Sequence, residues 1–322
     1  MKVRYLIFAS LPVVALIAWL LWPGEGSAPP PPPEKPRAVE PLVLEPPADP
    51  LKKIVQDSEK LRPLHEKMKP PQPGDWLTRH KEPGQTFFEY IANQPVVPRG
   101  ERSVLYIQPL GEFTRRQRKI VMLAAEFMGI YFNLRVRMLA DLPLSEIPAR
   151  ARRVHPMWGD KQILTGYVLA KVLKPRLPKD AAAYIALTSS DLWPGEGWNF
   201  VFGMASLHER VGVWSIYRFG DPDREYELCL LRTLKIATHE TGHMFSIEHC
   251  TAYECNMCGC NSQGESDRRP LALCPEDVAK VWWGTEADPV ERYTKLRDFC
   301  RRENLKAEAA FYEKSLQVLK SR

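Results

Sequence analysis

"HETGHMFSIEHC", from His239 to Cys250, sets three histidines, a glutamate and a cysteine within twelve residues, directly behind the apolar run "LCLLRTLKIAT". The periodicity predicts a long helix from about Glu225 through Phe245, with the motif on its C-terminal half. His239 and His243 are four apart, so a helix puts them on one face, one turn from each other and close enough to share an ion. Glu240 falls beside them. A catalytic zinc takes three protein ligands and keeps an open position for water, and a neighbouring carboxylate can take that water's proton and later deliver it to a leaving amine. Three residues along one helix face cannot surround a metal, so the third ligand must arrive from another direction. His249 supplies it if the chain turns after His243.

That turn has a known form. In the metzincin pattern H-E-x-x-H-x-x-G-x-x-H a glycine makes it, and a methionine turn follows beneath the metal. Here Ser246 stands at the glycine position, where a left-handed backbone costs a serine about 1 kcal/mol more than a glycine. Met257, eight residues beyond His249, is placed for the methionine turn. The cysteines pose a second question. Cys250, Cys255, Cys258, Cys260 and Cys274 fall close together, and the two-residue separation of Cys255 and Cys258 lets both sulfurs reach one ion. A second, structural zinc is one reading and a set of disulfides the other. Cys229 reads as a small core residue, and Cys300 has no assigned role.

Outward from the motif, the order of elements implies a mixed α/β sheet with packed helices. "SVLYIQPL" reads as a strand, "RRQRKIVMLAAEFMGIYFN" as a helix and "LRVRMLADL" as a half-exposed strand. "KQILTGYVLAKVLK" reads as helical, and "AAAYIALTSS", "WNFVFGMAS" and "VGVWSIYRF" as further strands. "PEDVAKVWW" and the sequence from Pro289 to Lys320 are helical by period. There is no internal repeat.

The beginning of the chain differs in kind. Lys2 and Arg4 precede eighteen uncharged residues, Tyr5 to Trp22, close to the length a helix needs to cross a bilayer. Positive charge before them and none directly after predicts an anchor with the body outside the cytoplasm, or a secreted body if the segment is cleaved. The expected division is a membrane anchor or signal over 1–23, a proline-rich spacer over 24–50, an N-terminal extension over 51–100 and a catalytic domain over 101–322. The whole chain of 322 residues, 44% hydrophobic and 26% charged, is ordinary for a globular protein. Its net charge of +6 is spread out, without a basic block interleaved with aromatics, so nucleic acid is not an expected partner. The expected partners are a peptide substrate and, through the N-terminal segment, a membrane; a monomer is expected.

"HETGHMFSIEHC", then "YECNM", then "DRRPLALCP" resemble the archaemetzincins, zinc metallopeptidases, in their eukaryotic-type form, as do "GDWLTRH", "DLWPGEGWNFVFGMAS" and "VERYTKL". The resemblance implies an α/β (α+β), metzincin-like zincin fold: a mixed twisted sheet with packed helices, an active-site helix carrying H-E-x-x-H, and a methionine turn. It makes His239, His243 and His249 the catalytic zinc ligands, Glu240 the general base acting on a zinc-activated water, and Met257 the methionine-turn residue. Two Zn2+ ions are implied, with Cys250, Cys255 and Cys274 binding the structural one. The family's fourth ligand is a cysteine in C-P-x-C, but this chain reads "CPED", with Asp277 in that position. The fourth ligand is therefore open among Cys258, Cys260 and Asp277. The softer cysteines match three thiolates better, which would leave Asp277 a surface residue at a helix start. "WNFVFGMAS" resembles the family's edge strand above the cleft, where Gly203 and Ala205 would leave room for an extended peptide. The implied activity is hydrolysis of peptide bonds, on small peptides and aminopeptidase-like in some members. The competing reading is a catalytically weak or inactive, zinc-stabilised peptide-binding module.

Overall fold

The structure, a computed structural model, describes residues 49–206 and 209–321. Helix α1 (Asp49–Leu61) and the short α2 (Phe87–Ala92) come first. Then come β1 (Val104–Leu110), α3 (Arg115–Tyr131), β2 (Arg135–Met138), β3 (Arg152–Val154) and β4 (Lys161–Leu164). A one-turn α4 (Thr165–Tyr167) runs into a wider-wound turn over Val168–Leu173, followed by β5 (Ala181–Thr188), β6 (Asp191–Trp193), β7 (Gly203–Ser206) and β8 (Val211–Ser215). The helices α5 (Tyr226–Met244), α6 (Gln263–Arg268), α7 (Pro275–Thr285), α8 (Pro289–Arg302) and α9 (Lys306–Lys320) complete the chain.

Five strands form the main sheet in the order β2-β1-β5-β8-β7, all parallel except the edge strand β7. β1 and β5 are buried at every position, which is why "VLYIQPL" and "AAAYIALT" read as nearly unbroken apolar runs. Leu105 and Ile107 face one core, shared with α3, α5, α8 and α9; Val104 and Tyr106 face a second, filled by Val168, Leu169, Val172 and Leu173. The architecture is thus a mixed α/β sheet between two helical layers. β2 closes one edge with Arg135 and Arg137, charges that discourage further strand pairing.

Two local expectations give way to long-range pairing. "KQIL", read as the start of a helix, is β4, because Gln162, Ile163 and Leu164 pair with Asp191, Leu192 and Trp193 of β6 in a second, three-stranded sheet. The helical run from Pro289 breaks into α8 and α9 at Asn304, whose φ of 59° no helix tolerates.

The anchored or secreted localisation is corrected. Among the described residues no helix is long and apolar enough to cross a membrane. The terminal helices there are amphipathic, turning one face to the core and a charged face outward. Tyr5–Trp22 and the proline-rich spacer up to residue 48 lie outside the described residues.

Candidate metal centre

The second half of α5 is buried on all sides, from Thr233 to Met244. Its threonines are satisfied within the helix: Thr233, Thr238 and Thr241 donate their hydroxyls to the carbonyls of Cys229, Leu234 and Ala237, four residues back. The helix ends in a paired cap, with Ser246 N donating to His243 O at 2.9 Å and Ile247 N to Gly242 O at 3.1 Å. Such a cap needs a left-handed residue, and Ser246 has φ 64°. A glycine there would lack what the serine provides: its Oγ accepts from Val96 N at 3.0 Å, tying the turn to the segment between α2 and β1.

The turn sends the chain back so that His239, His243 and His249 meet, their ring centroids 4.6, 4.8 and 5.4 Å apart and each ring buried. His239 Nδ1 donates to Asn256 O at 2.7 Å and His243 Nδ1 to Ile247 O at 2.6 Å. A carbonyl can only accept, so both imidazoles carry their proton on Nδ1 and present a lone pair on Nε2. Those two Nε2 atoms lie 3.0 Å apart. Two acceptors facing one another at this distance in a buried site repel unless a cation lies between them, and this is how the donor set fits a metal. Burial holds the His239 pKa down to about 3 and that of His243 well below the ordinary value, so both rings are neutral, as ligands must be. His249 Nδ1 faces both carboxylate oxygens of Glu82, at 3.0 Å each. Glu240, between the first two histidines, is buried, and burial pushes its carboxyl pKa up to about 8.

Met257 lies against α5 at Gly242, with its carbonyl accepting from Cys250 N at 2.9 Å. A Cβ on Gly242 would come within 2.7 Å of the Met257 sulfur, so the motif's glycine lets this methionine approach the helix closely. Gly242→Ala is expected to lower stability by about 1–3 kcal/mol through overpacking, because the added methyl displaces the end of a Met257 side chain that is 1% exposed and packed in the main core. Thermal unfolding checks this; an unchanged Tm would contradict it.

Next to the histidines, Cys250, Cys255, Cys274 and Asp277 form a second cluster, with ligand atoms all within 4.8 Å of one another. Cys274 caps α7 and Asp277 lies one turn in, on the same side. Asp277 Oδ2 is 3.1 Å from Cys255 Sγ and 3.3 Å from Cys274 Sγ, and Cys250 Sγ is 3.7 Å from Cys274 Sγ. Asp277 is therefore not a surface helix-start residue: it is 1% exposed, and Oδ1 pairs with an equally buried Lys280 Nζ at 2.8 Å. Burial raises its pKa to about 6 against the pull of Lys280. Of the softer candidates, Cys258 adjoins Cys250 and accepts from Cys255 N at 3.3 Å, yet neither cysteine joins the four-member cluster. Cys258 Sγ donates to Tyr253 O at 3.2 Å and Cys260 Sγ to Cys258 O at 3.5 Å. Cys255 Sγ also accepts from Cys274 N and Met257 N, the kind of bond that favours a thiolate. No disulfide forms, since all seven cysteines are free.

The edge strand β7 is present at the border of the main sheet. A Cβ on Gly203 would meet the Trp214 ring and Val213 O at 3.3 Å, so the glycine accommodates the indole; Ala205 packs against the main core. Sequence reasoning missed Glu82, Gln85 and Asn256. Glu82 sits two residues beyond the quoted "GDWLTRH", a hint of its neighbourhood though not of its partner.

Comparison with known proteins places these residues in context. A family model described as peptidase family M54 matches residues 179–281. Archaemetzincin-2 of Homo sapiens is 33% identical over 258 residues, 70% of this chain and 71% of that protein. The archaemetzincin of Thermococcus kodakarensis is 34% identical over 184 residues, 55% of this chain and 95% of that protein. A crystal structure of archaemetzincin from Methanopyrus kandleri is 28% identical, with a TM-score of 0.46 over 59% of this chain and 99% of that one.

Proposed function

The chain belongs to the archaemetzincin family of zinc metallopeptidases, and from that premise we propose that it hydrolyses peptide bonds at His239, His243 and His249, with Glu240 as general base. The observation that carries this reading is the convergence of two deprotonated Nε2 atoms 3.0 Å apart beside a buried carboxylate. The three histidines would hold a zinc ion, which would supply Lewis acidity toward the scissile carbonyl and the attacking water. Glu240 takes the water's proton as its oxygen bonds to the carbonyl carbon, and gives a proton to the leaving nitrogen as the C–N bond breaks. A carboxyl made more basic by burial is suited to both transfers, and a neighbouring cation favours its ionised form at the start.

A second, structural zinc is assigned to Cys250, Cys255 and Cys274 with Asp277 as fourth ligand. Residues 101–322 are taken as the catalytic domain and 51–100 as its extension. Small peptides are the expected substrates, with aminopeptidase-like cleavage included. Metal analysis together with a peptide-library screen tests the assignment. Two zinc ions per chain and cleavage of short peptides are expected; one ion and no cleavage of any peptide would instead mark a zinc-stabilised binding module.

A further inference from the structure

We propose that Glu82, carried by the N-terminal extension, is the positioning residue for His249 and so completes the catalytic metal centre from outside the catalytic domain. The proposal rests on the assignment of the three histidines as metal ligands. What separates His249 from the other two is how each is held. His239 and His243 lie on the rigid α5, and their Nδ1 atoms are fixed by backbone carbonyls of the catalytic domain. His249 lies beyond the helix, in a stretch with no regular structure, and its Nδ1 meets a carboxylate 167 positions earlier in the chain. Both oxygens of Glu82 are 3.0 Å from that nitrogen, a geometry that fixes the ring's rotation and directs its Nε2 toward the other two. A carboxylate behind a ligating histidine also makes the ring a stronger donor, and loss of such a partner typically weakens metal binding about 10–100-fold.

The segment around Glu82 is built to hold it there. Trp76 stacks on His80 at 3.8 Å and presents its edge to His249 at 5.2 Å. Its backbone N–H donates to the buried Glu265 at 3.0 Å, and its ring occupies the space a side chain at Gly259 would need. Three residues beyond Glu82, Gln85 grips the loop that carries His249 from both sides of the turn. Its amide nitrogen donates to Ser246 O and its oxygen accepts from Glu248 N, each at 3.3 Å. Gln85 O in turn accepts from Lys280 Nζ at 2.6 Å, and Tyr90 OH donates to Phe245 O at 2.9 Å. The extension thus holds the left-handed turn, the third histidine and the Asp277–Lys280 pair as one unit.

The test compares Glu82→Ala, Glu82→Gln and His249→Ala with the wild type in the full chain. It reads zinc affinity by chelator competition, the visible spectrum after cobalt substitution, and Tm. Glu82→Ala is expected to weaken one of the two metal sites 10–100-fold and to alter the cobalt bands of the histidine site. Glu82→Gln, whose amide oxygen still accepts from Nδ1, should recover part of the loss. A role confined to packing would lower Tm without moving affinity or spectrum, and that result would overturn the proposal. Loss of metal in His249→Ala with wild-type binding in Glu82→Ala would also overturn it, leaving the histidine site intact as a reading. Wild-type binding in both variants would overturn the histidine assignment and this proposal together.

Discussion

Glu240→Gln is expected to cripple peptide cleavage while the protein keeps its metal content and its fold. The substitution changes almost nothing in shape. It removes only the group's capacity to take a proton, at a position that is 2% exposed and whose carboxyl burial already holds at about 8. General-base catalysis by a positioned side chain contributes roughly 10²–10⁴-fold, and a loss of at least that size in kcat/KM is expected. Metal stays because the converging donors are the three histidines, whose partners are Asn256 O, Ile247 O and Glu82. Steady-state kinetics on a peptide found in the library screen, with metal analysis on the same sample, checks this; wild-type turnover in the variant would remove Glu240 from the mechanism.

Cys255→Ser, or prolonged treatment with a strong chelator, is expected to cause the largest loss of stability. The cysteine cluster ties three parts of the chain together: Cys250 adjoins His249, Cys255 precedes Met257 by two positions, and Cys274 caps α7. The four groups are buried, at 0–6% exposure, and Cys255 Sγ alone accepts two backbone N–H groups and faces Asp277. Where a structural zinc is bound, its affinity is folding free energy, and loss of such a metal belongs to the short list of changes that exceed about 4 kcal/mol. For a domain of this size that corresponds to a fall in Tm of roughly 10 °C or more. Because Cys250 and Met257 border the histidine centre, the catalytic metal should weaken as well. Cys258→Ser is the control: its thiol bonds to Tyr253 O, and its loss should leave metal content unchanged. Calorimetry with metal analysis separates the two variants, and equal behaviour would contradict Asp277 as the fourth donor.

The convergence of His239 and His243 was readable because its geometry is local. A four-residue separation fixes two histidines on one helix face whatever the rest of the chain does, and the apolar period that makes α5 a buried helix is visible in the same residues. The buried strands β1 and β5 were readable for a similar reason, each being a continuous apolar run. Where local pattern and long-range pairing compete, the pattern misleads. "KQIL" has helical neighbours, yet pairing with Asp191–Trp193 makes it a strand.

The sequence by itself determined the metal-binding residue types, the helix that carries two of the three histidines, and the left-handed turn at Ser246 that returns the third. Only the tertiary structure decided the rest. It turned Asp277 inward against two thiols and gave Cys258 a carbonyl partner, because the fourth corner of that cluster depends on where α7 begins relative to the loop of Cys255. It also brought Glu82 to His249 across 167 positions. Contacts within a turn follow from the repeat of the helix; contacts between distant segments follow from how whole layers pack, and no spacing in the sequence encodes them.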